Sequence, residues 1–132
     1  MQIVRVVAGL VERHGLLLIA RRGPAMELAG CWEFPGGKLE PGESTADALV
    51  REFDEELGVR VRPLGEVGVA EFEHGGRRIR LEGWAATLEA GEPEPREHDA
   101  VLWVDPARLA PQVLAPADVP LLEAWRARGG AP

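Results

Sequence analysis

The sequence predicts a three-layer α/β/α sandwich in which strands and two helices share one domain. Three observations carry that expectation. Short runs rich in Val, Ile and Leu recur on both sides of one helix-period segment at 44–58. A second helical segment follows Asp118 near the end of the chain. The Pro/Gly/Glu connection at 91–95 leaves too little chain after it for another core, so it is no domain linker. One domain is therefore expected over residues 1–128, with a flexible tail at 129–132.

Taken in order, Gln2 to Val11 partly alternates and is rich in Val, the pattern of a strand. Arg13-His14-Gly15 is a turn signal, with His14 read as a hairpin residue, and Leu16 to Ala20 is a continuous apolar run suited to a buried strand. Arg21 and Arg22 end that strand, either as a solvated end or as a guanidinium clamp for phosphates. Gly23 to Gly30 reads as an irregular loop. Trp32-Glu33-Phe34 is a short strand leading into a glycine turn, Pro35-Gly36-Gly37. Glycines there let the backbone approach a ligand closely, and a freed carbonyl can serve as one. Trp32 is expected in the core, whereas Phe34 adjoins the turn.

The stretch from Gly37 to Val59 organises the rest. Ser44 can cap a helix, with Asp47 three residues on, and Gly58 can close it. Ala46, Leu49, Val50, Phe53 and Leu57 fall on one stripe that should face a core. Glu52, Glu55 and Glu56 occupy a neighbouring arc, where like charges each cost about 0.2–0.5 kcal/mol. Arg51 points to a different arc and cannot offset all three acids. A hard divalent cation could, because carboxylate oxygens are what Mg2+ and Mn2+ prefer. A solvated acidic face is the plainer alternative; the glycine turn, Glu43 at the helix entrance and Arg51 beside Glu52 weigh against it.

Leu64 to Phe72 and Ile79 to Leu88 read as strands around a His74-Gly75-Gly76 turn, and Ala100 to Val104 as a short strand. Phe72 and Trp84 either turn inward or line a pocket. Glu97 is either an exposed loop acid or one more metal ligand. Pro106 to Pro116 is irregular, and Asp118 is placed to cap a final helix carrying Leu121, Leu122 and Trp125 towards the core.

Composition narrows the function. A hydrophobic fraction of 45% and a charged fraction of 28% suit a water-soluble globular protein. A net charge of −7 argues against a polymeric nucleic-acid partner, though not against a nucleotide. The lone cysteine, Cys31, excludes an internal disulfide and suits a reducing cytoplasm. Arg5 and Glu12-Arg13-His14 interrupt the first apolar run, so it is neither a signal peptide nor a membrane span.

The spacing of Gly37, Glu43, Arg51-Glu52-Phe53, Glu55-Glu56 and Gly58-Val59 resembles a complete Nudix box. Phe53 stands where that family usually carries an aliphatic residue. GCWEFPGGKLEPGES, EHDAVLW and LAPADVPLLEAW extend the likeness over nearly the whole chain to the MutT-type branch, and within it to the CTP- and 8-oxo-dGTP-hydrolysing enzymes. The resemblance implies a mixed sheet with a loop–helix–loop motif that places the carboxylates over a cleft. It implies Mg2+ or Mn2+ held by Glu52, Glu55, Glu56, the Gly36 carbonyl and Glu97. Glu52 is then the base or water-orienting group, positioned by Arg51 and Glu43. Substrate contacts would come from Arg22, Phe34, Pro35, Gly36, Gly37, Lys38, Phe72 and Asp118, with Asp118 reading the base edge.

Phe72 is a departure, standing where the CTP-hydrolysing type has an arginine against substrate. The diadenosine-polyphosphate type carries a tyrosine after the box, and this chain has none. The ADP-ribose type carries a proline where His74 and Gly75 lie. The expected activity is hydrolysis of a (d)NTP to (d)NMP and pyrophosphate, on an oxidised or modified nucleotide or on CTP/dCTP, by a cytoplasmic monomer or homodimer without a membrane partner. The alternatives are a ligand-sensing module without turnover, a hydrolase of another nucleoside diphosphate derivative, and an isomerase using Cys31.

Overall fold

The computed structural model describes residues 2–129. Seven strands and two helices follow in the order β1 (Ile3–Arg13), β2 (Leu16–Arg21), β3 (Trp32–Glu33), β4 (Gly36–Lys38), α1 (Thr45–Leu57), β5 (Arg60–His74), β6 (Arg77–Ala90), β7 (Ala100–Val104) and α2 (Val119–Ala127). All strands join one sheet whose central path is β3-β2-β1-β6-β5, with β4 on β1 and β7 on β2. β1 and β6 run parallel and every other pair is antiparallel, so the sheet is mixed.

The layers follow from strand periodicity, because successive side chains point to opposite faces. Val7, Val11 and Leu18 pack with Ala48, Leu49, Phe53 and Leu57 of α1. Ala8, Leu10, Leu17 and Ile19 pack with Leu121, Leu122 and Trp125 of α2 on the opposite face. The expected α/β/α sandwich is present. No helix among the described residues is long and apolar enough to cross a membrane.

Both hairpin turns have the backbone that two-residue connections favour. His14 and Gly15 are both at positive φ between paired Arg13 and Leu16, and Gly75 and Gly76 repeat this between His74 and Arg77. Ser44 caps α1 by accepting the Asp47 amide at 3.1 Å, and Gly58 ends it at φ 66°.

Several expectations need correction. In place of the expected Pro35-Gly36-Gly37 turn, Pro35 leads directly into strand β4, where Gly36, Gly37 and Lys38 pair with Ala8, Val7 and Val6 of β1. β5 starts at Arg60 rather than Leu64 and carries Pro63 at a register shift, where a missing amide donor is tolerated. The buried stripe of α1 is rotated towards Thr45 and Ala48, leaving Ala46 only partly covered. The 106–116 segment holds a 3-10 turn at Pro111–Val113, and a second follows at Pro116–Asp118. Of the expected tail, 130–132 lie outside the described residues.

Candidate active site

The site forms where β1 and β2 part. Those strands pair only beside their shared turn, at Glu12↔Leu17 and Arg13↔Leu16. Beyond it the 32–38 segment fills the gap, with β3 on the end of β2 and β4 on β1. The Gly9 amide donates to the Pro35 carbonyl at 2.8 Å and ties the crossing in place. A cleft of ≈ 260 Å³ opens there, lined by Arg22, Glu33, Phe34, Gly36, Gly37, Glu56, Glu97 and Asp118 among others.

Close approach explains the two glycines of β4. Neither has positive φ. A β-carbon on Gly36 would strike the Val7 carbonyl, and one on Gly37 would strike the Glu52 carboxylate. Only a chain without side chains lets α1 bring Glu52 against this strand.

Arg51 fastens the helix to the loop before it. Its guanidinium donates to both Glu43 oxygens (2.8 and 2.9 Å), to Glu52 Oε1 (2.9 Å), to Glu55 Oε2 (3.3 Å) and to the Lys38 carbonyl (2.9 Å). Arg51 thus reaches two of the three arc acids, and Glu56 is beyond it. Hydrogen bonds from Arg51, and next from the Glu40 amide, hold the Glu43 carboxyl down at about 2.

Glu56 meets the opposite surroundings. Burial first, then the neighbouring Glu52, Glu33 and Glu97, push its carboxyl up to about 9. Such a group keeps its proton well above the usual carboxylate range, and a divalent ion can take the proton's place. The oxygen donors of Glu52, Glu56 and the Gly36 backbone fit a hard divalent cation. Glu97 lines the same cleft. Glu55 is more than half exposed and turned to Arg51, outside the cleft lining.

Asp118 does not cap α2, contrary to expectation. No amide of that helix bonds its side chain. Its Oδ2 instead accepts the Phe34 amide at 2.8 Å, 84 residues away in sequence. Burial, with Glu33 adding to it, raises this carboxyl to about 7 against the opposing Phe34 amide and Arg22. Asp118 is 6% exposed and forms part of the cleft wall. Arg22 also reaches the cleft, bonding Glu33 and the Glu27 carbonyl, while Arg21 pairs outside it with Asp99 at 2.6 Å.

Some candidates stand apart. Phe72 packs against the core on the α2 side, and Lys38 and Glu43 line a separate hollow with Arg5. Phe34 is buried in the core and also lines the cleft. Pro35 contributes its carbonyl to Gly9. Cys31 is not among the lining residues, which removes the support for a cysteine-dependent isomerase.

Two residues escaped sequence reasoning. Glu33 accepts from His98 Nε2 at 2.7 Å and from Arg22, and His98 Nδ1 lies 3.6 Å from Glu56 Oε2. His98 has no helix-spaced partner, and 65 residues separate it from Glu33. The available signals were slight: an acid held between Trp32 and Phe34, and an acid–histidine pair ahead of β7.

The chain is similar to known proteins over nearly its whole length. The chain is 43% identical over 127 residues to a CTP pyrophosphohydrolase of Escherichia coli (strain K12), covering 96% of this chain and 94% of the relative. It is 30% identical over 123 residues to the 8-oxo-dGTP diphosphatase of the same organism, covering 92% and 95%. The crystal structure of a MutT NUDIX hydrolase from Burkholderia pseudomallei superimposes with a TM-score of 0.82 at 30% identity, covering 94% of this chain and 98% of that one. The NUDIX domain matches residues 1–125, and the chain belongs to that family.

Proposed function

We propose that the protein hydrolyses a nucleoside triphosphate, probe substrates being 8-oxo-dGTP and CTP or dCTP, to the monophosphate and pyrophosphate with Mg2+ or Mn2+. The names of the two relatives support both substrate types. The observation that carries this reading is the shared cleft: Glu56 of α1 lines it with Arg22 and Asp118, and Glu52 abuts it at Gly37.

Each wall has a task. Asp118 and the adjoining Phe34 backbone meet the base edge, where a carboxyl poised near neutrality can donate or accept. Arg22 exchanges Glu33 for phosphate oxygens, which its guanidinium fork matches. Glu52, held by Arg51 at 2.9 Å and packed on Gly37, orients the attacking water and takes its proton. Glu52, Glu56 and the Gly36 carbonyl would hold a divalent cation, which would neutralise phosphate oxygens and make the attacking water more acidic. Arg51 and Glu43 keep the Glu52 oxygens in one orientation, so no rotamer search precedes the reaction.

A panel of ordinary and damaged (d)NTPs with Mg2+, scored by pyrophosphate release and kcat/KM, tests the proposal. One substrate class is expected to stand well above the others. Absence of release from every triphosphate, with tight nucleotide binding retained, would replace the enzyme by a ligand-sensing module.

A further inference from the structure

His98 is buried, its side chain 1% exposed, and its ring Nδ1 has no hydrogen-bond partner among the described residues. Its Nε2 faces Glu33 Oε2 at 2.7 Å, and Glu33 accepts Arg22 on its other oxygen. Since a carboxylate only accepts, Nε2 carries a hydrogen, and Nδ1 is the nitrogen whose lone pair a cation could take. Nδ1 faces Glu56 Oε2 3.6 Å away, beyond hydrogen-bond reach. At that range no hydrogen bond forms whichever group holds a proton, and a buried polar atom left in this way is costly.

We propose that His98 Nδ1 and Glu56 form a second cation position, deeper than the carboxylate site and selective for nitrogen-accepting cations such as Zn2+ and Co2+ over Mg2+. The separation fits. With bonds of about 2.1 Å to nitrogen and oxygen, a 3.6 Å span subtends roughly 120° at the ion, near the tetrahedral angle of zinc. Mg2+ demands right angles between neighbouring ligands, which would need a span of about 3.0 Å, and it prefers oxygen throughout. Glu33, His98 and Glu56 together offer donor atoms within 4.8 Å of one another.

The surroundings match what a metal-binding imidazole requires. A carboxylate on the far nitrogen sets the tautomer and the ring orientation, and Arg22 in turn fixes that carboxylate. Glu56 also lines the cleft, so an ion can enter from that side and complete its coordination with water. The position shares Glu56 with the hydrolase reading but does not depend on turnover.

The test follows the ring nitrogens of the full-length, metal-free protein by 15N NMR while Zn2+ alone is added, and then Mg2+ alone. His14 and His74 are exposed and serve as internal controls. One equivalent of Zn2+ is expected to move His98 Nδ1 while Nε2 stays protonated, and Mg2+ is expected to leave it unmoved. Glu33→Gln, which keeps an acceptor but loses the charge, should weaken Zn2+ binding by about ten- to a hundredfold. No movement at His98 under saturating Zn2+, or movement confined to His14 and His74, overturns the proposal. Failure of the hydrolase reading shows separately, as absent pyrophosphate release with Mg2+.

Discussion

Glu52 and Glu56 lie one turn apart on α1, yet their neighbours give them opposite work. Arg51 holds Glu52 as an oriented acceptor, while burial keeps Glu56 reluctant to ionise. Glu52→Gln retains the shape and one hydrogen bond to Arg51 but cannot take a proton. Its kcat is expected to fall by about 10²–10⁴ with the melting curve little changed. Turnover within a few-fold of wild type would remove Glu52 from the proton-accepting role. Asp118 makes a prediction of the opposite kind. Its carboxyl rises from 3.8 to about 7 on folding, so the native state holds a proton that the unfolded chain has lost between those values. Its contribution to stability is complete below about 4 and disappears as pH rises through 7. Asp118→Asn keeps an oxygen for the Phe34 amide and should erase that slope. The check is the difference in Tm between variant and wild type from pH 4 to 8.

At the scale of elements, α1 was the most legible part of the chain. Its start at Ser44, its end at Gly58 and its acidic arc rest on local periodicity and capping, which neighbouring residues settle among themselves. Strand β4 was not legible. Its glycines look like turn residues, and only the nearness of Val7 and Glu52 reveals why side chains are absent. The loop and helix are joined by Glu43 and Arg51, and this joint should be acid-sensitive. The Glu43 carboxyl is depressed from 4.5 to about 2, so its stabilisation is present above about 4.5 and lost as pH falls through 2. Glu43→Gln is expected to flatten the acid limb of the Tm profile over that window. An unchanged limb would mean that Arg51 finds its stability elsewhere, in Glu52 and the Lys38 carbonyl.

For the whole molecule, the distance between α1 and the sheet decides whether the cleft exists. Phe53 is fully buried and lies against Gly9 of β1; a β-carbon there would meet the Phe53 ring and, at 2.8 Å, a Leu49 methyl. Gly9→Ala should therefore cost about 1–3 kcal/mol by overpacking, read from the denaturant midpoint at constant m-value. If the variant were as stable as wild type, the helix layer would be more yielding than its packing implies.

Taken alone, the amino-acid order determined the α/β/α architecture, the box helix and the acids on its arc. These depend on periods of two and 3.6 residues and on caps within a few positions of one another. The tertiary structure decided what those acids face. Asp118 looked like a cap until the β-sheet brought the Phe34 amide to it, and Glu33 and His98 carried only a slight signal until folding set them beside Glu56. Contact across 65 or 84 residues, and the desolvation that moves a carboxyl's pKa, arise only when separate segments exclude water from the same place.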